Sequence, residues 1–255
     1  MLLLAPTVSA GARQAATVPD AKDLIGKMFA RYAGGKTVAG RIRMVQTAMN
    51  VTIQVDTTIA LERPDLIHIE QRQLDGTKPQ ATLISDGVRF VYTAQLGTVK
   101  DTMRMMESLH PNSKSALHIP EIYPCVFTSL ADRSFPLDVA VGRTADLKIL
   151  TQHLAAFTMS GKSNVLGRDV YDIRGDWREA NSTTLGSFDL YITPDGDFVR
   201  LERRANFGVN PKWLKDHRLP TNAYPDGIPV VSTWDGDLKV GVPIDHAEFA
   251  IRQGR

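Results

Sequence analysis

The residues of this chain best equipped for chemistry stand in patterns that fall short of it. Ser160-Gly161-Lys162-Ser163 matches the end of a phosphate-binding loop. The upstream glycine of such a loop would fall at Ala156, and the surroundings read as β structure rather than strand–loop–helix. Six histidines stand at 68, 110, 118, 153, 217 and 246, none four residues from another and none in an HExxH pattern. His68, inside a strand pattern, reads as a structural or cavity-edge residue, and no metal site is expected. No serine lies in Gly-x-Ser-x-Gly. Asp216-His217 and Asp245-His246 are neighbours in sequence, which does not make a catalytic dyad. Asp195-Gly196-Asp197 and Asp235-Gly236-Asp237 lack the bidentate glutamate of a calcium loop and read as hairpin turns. Cys125 is the only cysteine, so neither an intrachain disulfide nor a multi-cysteine zinc site is available. No catalytic residue and no cofactor are expected, and the chain reads as a non-enzyme.

What remains is apolar. Of the 8 methionines, Met44 falls in a strand pattern, Met49 just before another, and Met103, Met105 and Met106 crowd together. Methionine is flexible and polarizable and suits irregular apolar binding surfaces; ordinary core filling accounts for it equally well.

Composition narrows the class. The 255 residues suffice for one large β domain or two small ones. An apolar fraction of 43% argues against disorder and against a polytopic membrane protein. The formal net charge is +2, and no basic stripe interleaved with aromatics appears, so nucleic acid is not an expected partner. The run MLLLAPTVSAGARQA is apolar and then small-residue-rich, with Val8-Ser9-Ala10 and Ala10-Gly11-Ala12 fitting small-x-small cleavage. Residues 1–15 are expected to be the end of a secretory signal, and the mature chain, 16–255, a soluble exported protein.

The elements that must carry any site are mostly strands. Leu24, Ile25, Met28, Phe29 and Tyr32 mark one face of a helix that opens at Pro19-Asp20. Gly34-Gly35 is expected to end it in a left-handed cap. Thr37 to Thr47 sets Val38, Ile42 and Met44 on one face, and Arg41, Arg43 and Val45 on the other. From Val51 to Leu61 the odd positions are apolar or Thr57, and Thr52, Gln54, Asp56 and Thr58 face away. Strands at 66–73, 80–85 and 88–93 continue an antiparallel meander through Asp75-Gly76 and Asp86-Gly87 turns. Residues 95–160 break the pattern: Met103 to Leu109 reads as a short helix, prolines follow, and 145–157 has room for a second helix. Strands return at 162–174, 184–193 and 198–206. A Pro-rich excursion covers 207–229, with Trp213 and Leu214 on a helical turn. A last hairpin is expected around Asp235-Gly236.

In order and spacing these motifs resemble the LolA-type family of periplasmic lipoprotein carriers. LIGKMFARYAGGKTV resembles its opening helix and strand, and LERPDLIHIE its strand ending in a basic-Pro pair. LISDGVRFVYT, VLGRDVYDIRG and FDLYITPDGDFVRLERR resemble its later hairpins. The resemblance covers nearly all of 16–255 as a single domain, with 95–160 as a lid or insert. It implies a mainly β fold with helices (α+β): an unclosed, curved antiparallel β-barrel with a helical lid or plug.

The family also implies a soluble periplasmic carrier or chaperone, acting as a monomer. It takes lipid or lipoprotein acyl chains from an inner-membrane release complex to an outer-membrane acceptor. Ile53, Val55, Ile59 and Phe90 are then expected to line the acyl cavity, with Met103, Met106 and Leu109 covering it. The alternation itself does not say which face is concave. By analogy Arg41 or Arg43 would hydrogen-bond the lid backbone and close it. An envelope sensor or scaffold that recognises a protein partner is the alternative on the same fold.

Overall fold

The computed structural model of the chain describes residues 19–73, 80–95, 102–108, 118–119, 122, 135–142, 154–178, 186–209 and 211–251. The first element is built as its sequence predicts. Asp20 caps helix α1 (Ala21–Gly34), its carboxylate accepting from the Lys22 N–H at 2.7 Å. Leu24, Ile25, Met28, Phe29 and Tyr32 are all buried on one face. The end of the helix differs from expectation. Gly35 is extended, with φ −68° and ψ 128°, not left-handed. Glycine is required there for space, because a Cβ would lie 2.4 Å from the Val240 side chain.

The strands follow in chain order: β1 (Thr37–Ala48), β2 (Val51–Glu62), β3 (Leu66–Gln73), β4 (Gln80–Asp86), β5 (Arg89–Gln95) and β6 (Thr102–Ser108). After helix α2 (Phe135–Val141) come β7 (Leu154–Val165), β8 (Arg168–Trp177), β9 (Gly186–Ile192) and β10 (Phe198–Phe207). Helix α3 (Pro211–Asp216) leads to β11 (Ile228–Val240), and a 3-10 turn forms at His246–Phe249. The eleven strands of the described residues belong to one sheet in the order β6-β5-β4-β3-β2-β1-β11-β10-β9-β8-β7, with every pairing antiparallel. The order begins at β6 and ends at β7, which do not pair, so the curved sheet is unclosed. The first and last strands of the chain, β1 and β11, meet at its middle.

Alternation sends Val38, Ile42 and Met44 of β1 inward, with Val55, Thr57, Ile59 and Leu61 of β2, and all are buried. Tyr92 of β5, Ile173 of β8, Leu190 of β9 and Leu201 of β10 join the same core. Helices α1 and α2 cover this face: α1 touches β7, β9 and α2, and α2 touches β1 and β11. Phe29 of α1, Phe135 of α2, Trp177 of β8 and Phe188 of β9 form a chain of ring contacts, with centroids 6.0 to 6.3 Å apart.

Four expectations are corrected. Met103 to Ser108 is strand β6, not a helix: hydrogen bonding to the free edge of β5 decides a short Met-rich run with no clear period. Residues 162–174 are not one strand. Leu166 and Gly167, at φ 53° and 76°, turn the chain between β7 and β8. Asp235-Gly236 is no hairpin but lies mid-strand in β11, where Gly236 leaves the space that the Phe198 ring fills: a Cβ would lie 2.4 Å from that ring. Of the helix expected at 145–157, residues 154–157 belong to β7 and 145–153 lie outside the described residues, while a helix forms at α2, a stretch read as loop from its proline. The Asp75-Gly76 turn, Leu109 and residues 1–18 with the expected signal lie outside the described residues.

The concave face and its cover as candidate site

Inward parity gathers the expected lining on one face. Val55, Ile59 and Phe90 are at most 1% exposed, and Ile53 is half-buried and packs against the core to which they belong. These side chains are out of water in this conformation. In β6, Met103 pairs with Ala94 and Met106 with Val91, and the strand extends the sheet beside β5.

Arg41 and Arg43 also fall elsewhere. Both occupy outward positions of β1 and pair with Asp56 of β2; the Arg43 Nε–Asp56 Oδ1 distance is 3.1 Å. Neither reaches the helices. The arginine that does is Arg63, one residue beyond the end of β2. Its Nε donates to Gly35 O at 3.0 Å, one Nη to Tyr32 O at 2.8 Å and the other to Val141 O at 3.1 Å. One planar guanidinium thus ties the C-terminal ends of α1 and α2 to the sheet. Those carbonyls have no partner within their helices and carry the negative end of the helix dipole, so a fork of cationic donors suits them. Burial pushes the Arg63 pKa down, yet an arginine stays charged. Gly142 allows the approach: it sits at φ +76°, and a Cβ there would lie 2.6 Å from the guanidinium. The sequence held the signal, since Arg63-Pro64 is the basic-Pro pair of the resemblance. Parity also argued against Arg41 and Arg43, which share the outward face with Asp56.

A second anchor holds α1 along its polar edge. Asp197, in the turn between β9 and β10, accepts from Arg31 Nε at 2.6 Å and from an Arg168 Nη at 2.9 Å. Lys27 Nζ donates to Pro194 O at 2.6 Å, and the Phe198 N–H donates to the Tyr32 hydroxyl at 3.2 Å. The cover is therefore fastened by polar bonds at its margins and by apolar contact over its middle.

His68 and His246 pair with carboxylates. His68 Nδ1 lies 3.3 Å from Glu248, and His246 Nε2 lies 2.9 Å from Glu62. Hydrogen bonds from Lys36 and His246 hold the Glu62 carboxyl below its usual range. Ser160 to Ser163 lies within strand β7. Among the described residues there is no group of three or more His, Cys, Asp and Glu that could hold a metal ion. Among them, too, no helix is long and apolar enough to cross a membrane.

No family model matches the chain, and no curated protein does. Solved structures similar to it include the MucA/MucB complex of Pseudomonas aeruginosa, at 13% identity over 90% of this chain and 60% of that one, with a TM-score of 0.44. The lipoprotein LppX of Mycobacterium tuberculosis is similar at 11% identity over 88% of this chain and 98% of that one, with a TM-score of 0.39. A LolA-superfamily protein of Nitrosomonas europaea is similar at 9% identity over 92% and 99%, with a TM-score of 0.28. The chain spans 60% to 62% of the MucB chains it matches. The fold rests on the sheet order and pairings above: an unclosed, curved antiparallel sheet with helices on its concave face.

Proposed function

We propose that this chain is a non-enzymatic carrier in the periplasm that holds the acyl chains of lipid or lipoprotein between the concave face of the sheet and its helical cover. The observation that carries the reading is the Arg63 clamp. An apolar face spread over an eleven-stranded sheet is covered by two separate helices, whose ends are held by one guanidinium on three backbone carbonyls. A cover held this way can be lifted at the cost of a few hydrogen bonds, while the sheet beneath keeps its own pairing. Lifting it exposes Val55, Ile59 and Phe90, where an acyl chain gains roughly 0.8 kcal/mol per buried CH₂.

Arg63→Gln tests this. The variant should take up a fluorescent acyl probe faster than the wild type and lose about 2–4 kcal/mol of stability, since charged hydrogen bonds contribute about 1.5–3 kcal/mol each and are not additive. Native mass spectrometry of the freshly purified wild type should show co-purified lipid. If neither the wild type nor Arg63→Gln binds any acyl probe, the carrier reading fails.

A second reading, a scaffold or sensor for a protein partner, is favoured by the open edges. β7 has twelve residues and among the described residues pairs only with β8, so an extended peptide could add to its other edge. A protein ligand without lipid in the same mass spectrum would put this reading first.

A further inference from the structure

We infer that the end of the sheet at the β1–β2 turn is a docking surface for an anionic lipid bilayer; the inference goes beyond the carrier reading and can fail apart from it. The strand pairings set the β1–β2 turn, the end of β10 and the start of β11 at one end of the sheet, opposite the end where Arg63 holds the helices. Exposed apolar side chains gather there: Met49 is 41% exposed, Val51 60%, Phe207 37% and Val231 45%. From Val45 to Val55 the hairpin carries no charged residue. At the other end the large exposed apolar residues, Val88 and Leu166, stand singly, close to Asp86 and Arg89 and to Arg168, as scattered surface residues do. The turn itself breaks a local rule. Met49 and Asn50 take φ of 46° and 68°, a two-residue turn that favours Asn, Asp and Gly at both places. Asn50 suits it and Met49 does not, and the Met49 side chain is turned to water rather than packed. A strained backbone position that holds an apolar side chain in solvent points to a use for that side chain.

Two further observations point to a bilayer. The first is continuity with the concave face. Along the inward positions of β2 exposure rises toward this end, from buried Val55 through half-buried Ile53 to exposed Val51. Phe207 shares the inward parity of Leu201 and Ala205 on β10 and is exposed where they are buried. Among the described residues the inward face thus runs out to water at this rim, and an acyl chain leaving there enters a bilayer pressed against the rim without crossing water. The second is charge. The segment between β10 and β11 leaves at Phe207 and returns at Ile228, which pair with each other, so helix α3 lies at the same end. That segment exposes Lys212, Lys215 and Arg218 against Asp216 and Asp226, and Lys212 Nζ lies 2.7 Å from Asp216. Cations beside an uncharged apolar tip suit an anionic interface: the tip enters among the acyl chains, and Lys215 and Arg218 stay at the phosphates.

The test is co-sedimentation of the full chain with vesicles of phosphatidylcholine alone, or of phosphatidylcholine and phosphatidylglycerol in equal parts. The wild type should bind the mixed vesicles about fivefold or more tightly than the neutral ones. Met49→Gly suits the turn and removes the apolar side chain, and Val51→Thr keeps a strand former. The chain carrying both should lose about tenfold in affinity for the mixed vesicles, with no fall in melting temperature and no change in acyl-probe binding. Lys215→Gln with Arg218→Asn should remove the preference for the anionic vesicles. A wild type that binds acyl probes but no vesicles, or a Met49→Gly, Val51→Thr chain that binds vesicles as the wild type does, overturns the docking surface and leaves the carrier reading standing. Equal binding to both vesicle compositions overturns the anionic surface. Self-association without vesicles that disappears in the Met49→Gly, Val51→Thr chain assigns the patch to a second copy and overturns the bilayer. Vesicle binding without any acyl-probe binding supports the surface and removes the carrier reading.

Discussion

At the scale of single residues, Tyr32 joins the helix to the sheet. Its backbone carbonyl receives Arg63, and its hydroxyl receives the Phe198 N–H. Burial pushes its pKa up to about 12, and the neighbouring Asp197 carboxylate pushes the same way, while the Phe198 N–H, Arg31 and Arg168 pull it down. The sign of the linkage follows. The folded state holds the phenolic proton more tightly than an unfolded tyrosine with a pKa near 10 does. The resulting stability is fully present below about pH 10 and is lost as pH rises toward 12. Two units correspond to about 2.7 kcal/mol. Denaturation midpoints measured from pH 9 to 12 should fall by about that amount. In Tyr32→Phe the alkaline loss should shrink to that of the remaining groups, with a cost near 1 kcal/mol at neutral pH for the lost hydrogen bond. An unchanged alkaline profile in Tyr32→Phe would show that the hydroxyl is solvated.

Elements show what a sequence can and cannot carry here. The turn after β4 was legible: Gly87 takes φ +85°, and Asp86 Oδ1 accepts from the Val88 and Arg89 N–H groups at 3.0 and 2.9 Å. The central pair is Gly87-Val88, one residue later than Asp86-Gly87, because the Asp86 side chain caps the turn from its own strand end. Gly87→Val should cost about 1–3 kcal/mol, since a β-branched residue resists positive φ. A melting curve identical to that of the wild type would remove glycine's role there. Strands β1 to β5 were legible for the same kind of reason, since period-2 burial is written in Val51 to Leu61 itself. Strand β6 was not, because its partner edge on β5 is specified by pairing and not by its own alternation. The Asp235-Gly236 misreading has the same root: a glycine that yields room to Phe198 looks, in one dimension, like a glycine that turns the chain. Arg63 was visible as a motif residue, but its role depends on where two helices end, and the sequence between them does not say.

For the whole molecule the question is whether the sheet is one unit or two halves joined at β1 and β11. Strands β1 to β6 come from the N-terminal half of the chain and β7 to β11 from the C-terminal half. Helix α1 precedes the first half, yet it packs on β7 and β9 of the second and is fastened to the β9–β10 turn through Arg31, Lys27 and Tyr32. Arg63, from the end of β2, then holds α1 and α2 together. Neither half keeps its cover without the other, so both should unfold together. The three tryptophans, Trp177, Trp213 and Trp234, all lie in the second half, so their fluorescence reports that half, while far-UV circular dichroism reports strands of both. Urea transitions followed by the two signals should coincide, with one midpoint and one slope. A chain ended before Ile228 loses β11, the strand that joins the halves. It should then lose the ordered signal of β1 to β6 as well as that of β7 to β10. Separate midpoints in the intact chain, or a folded β1–β6 half in the shortened one, would mean that the halves are independent and that the shared cover contributes little to holding them together.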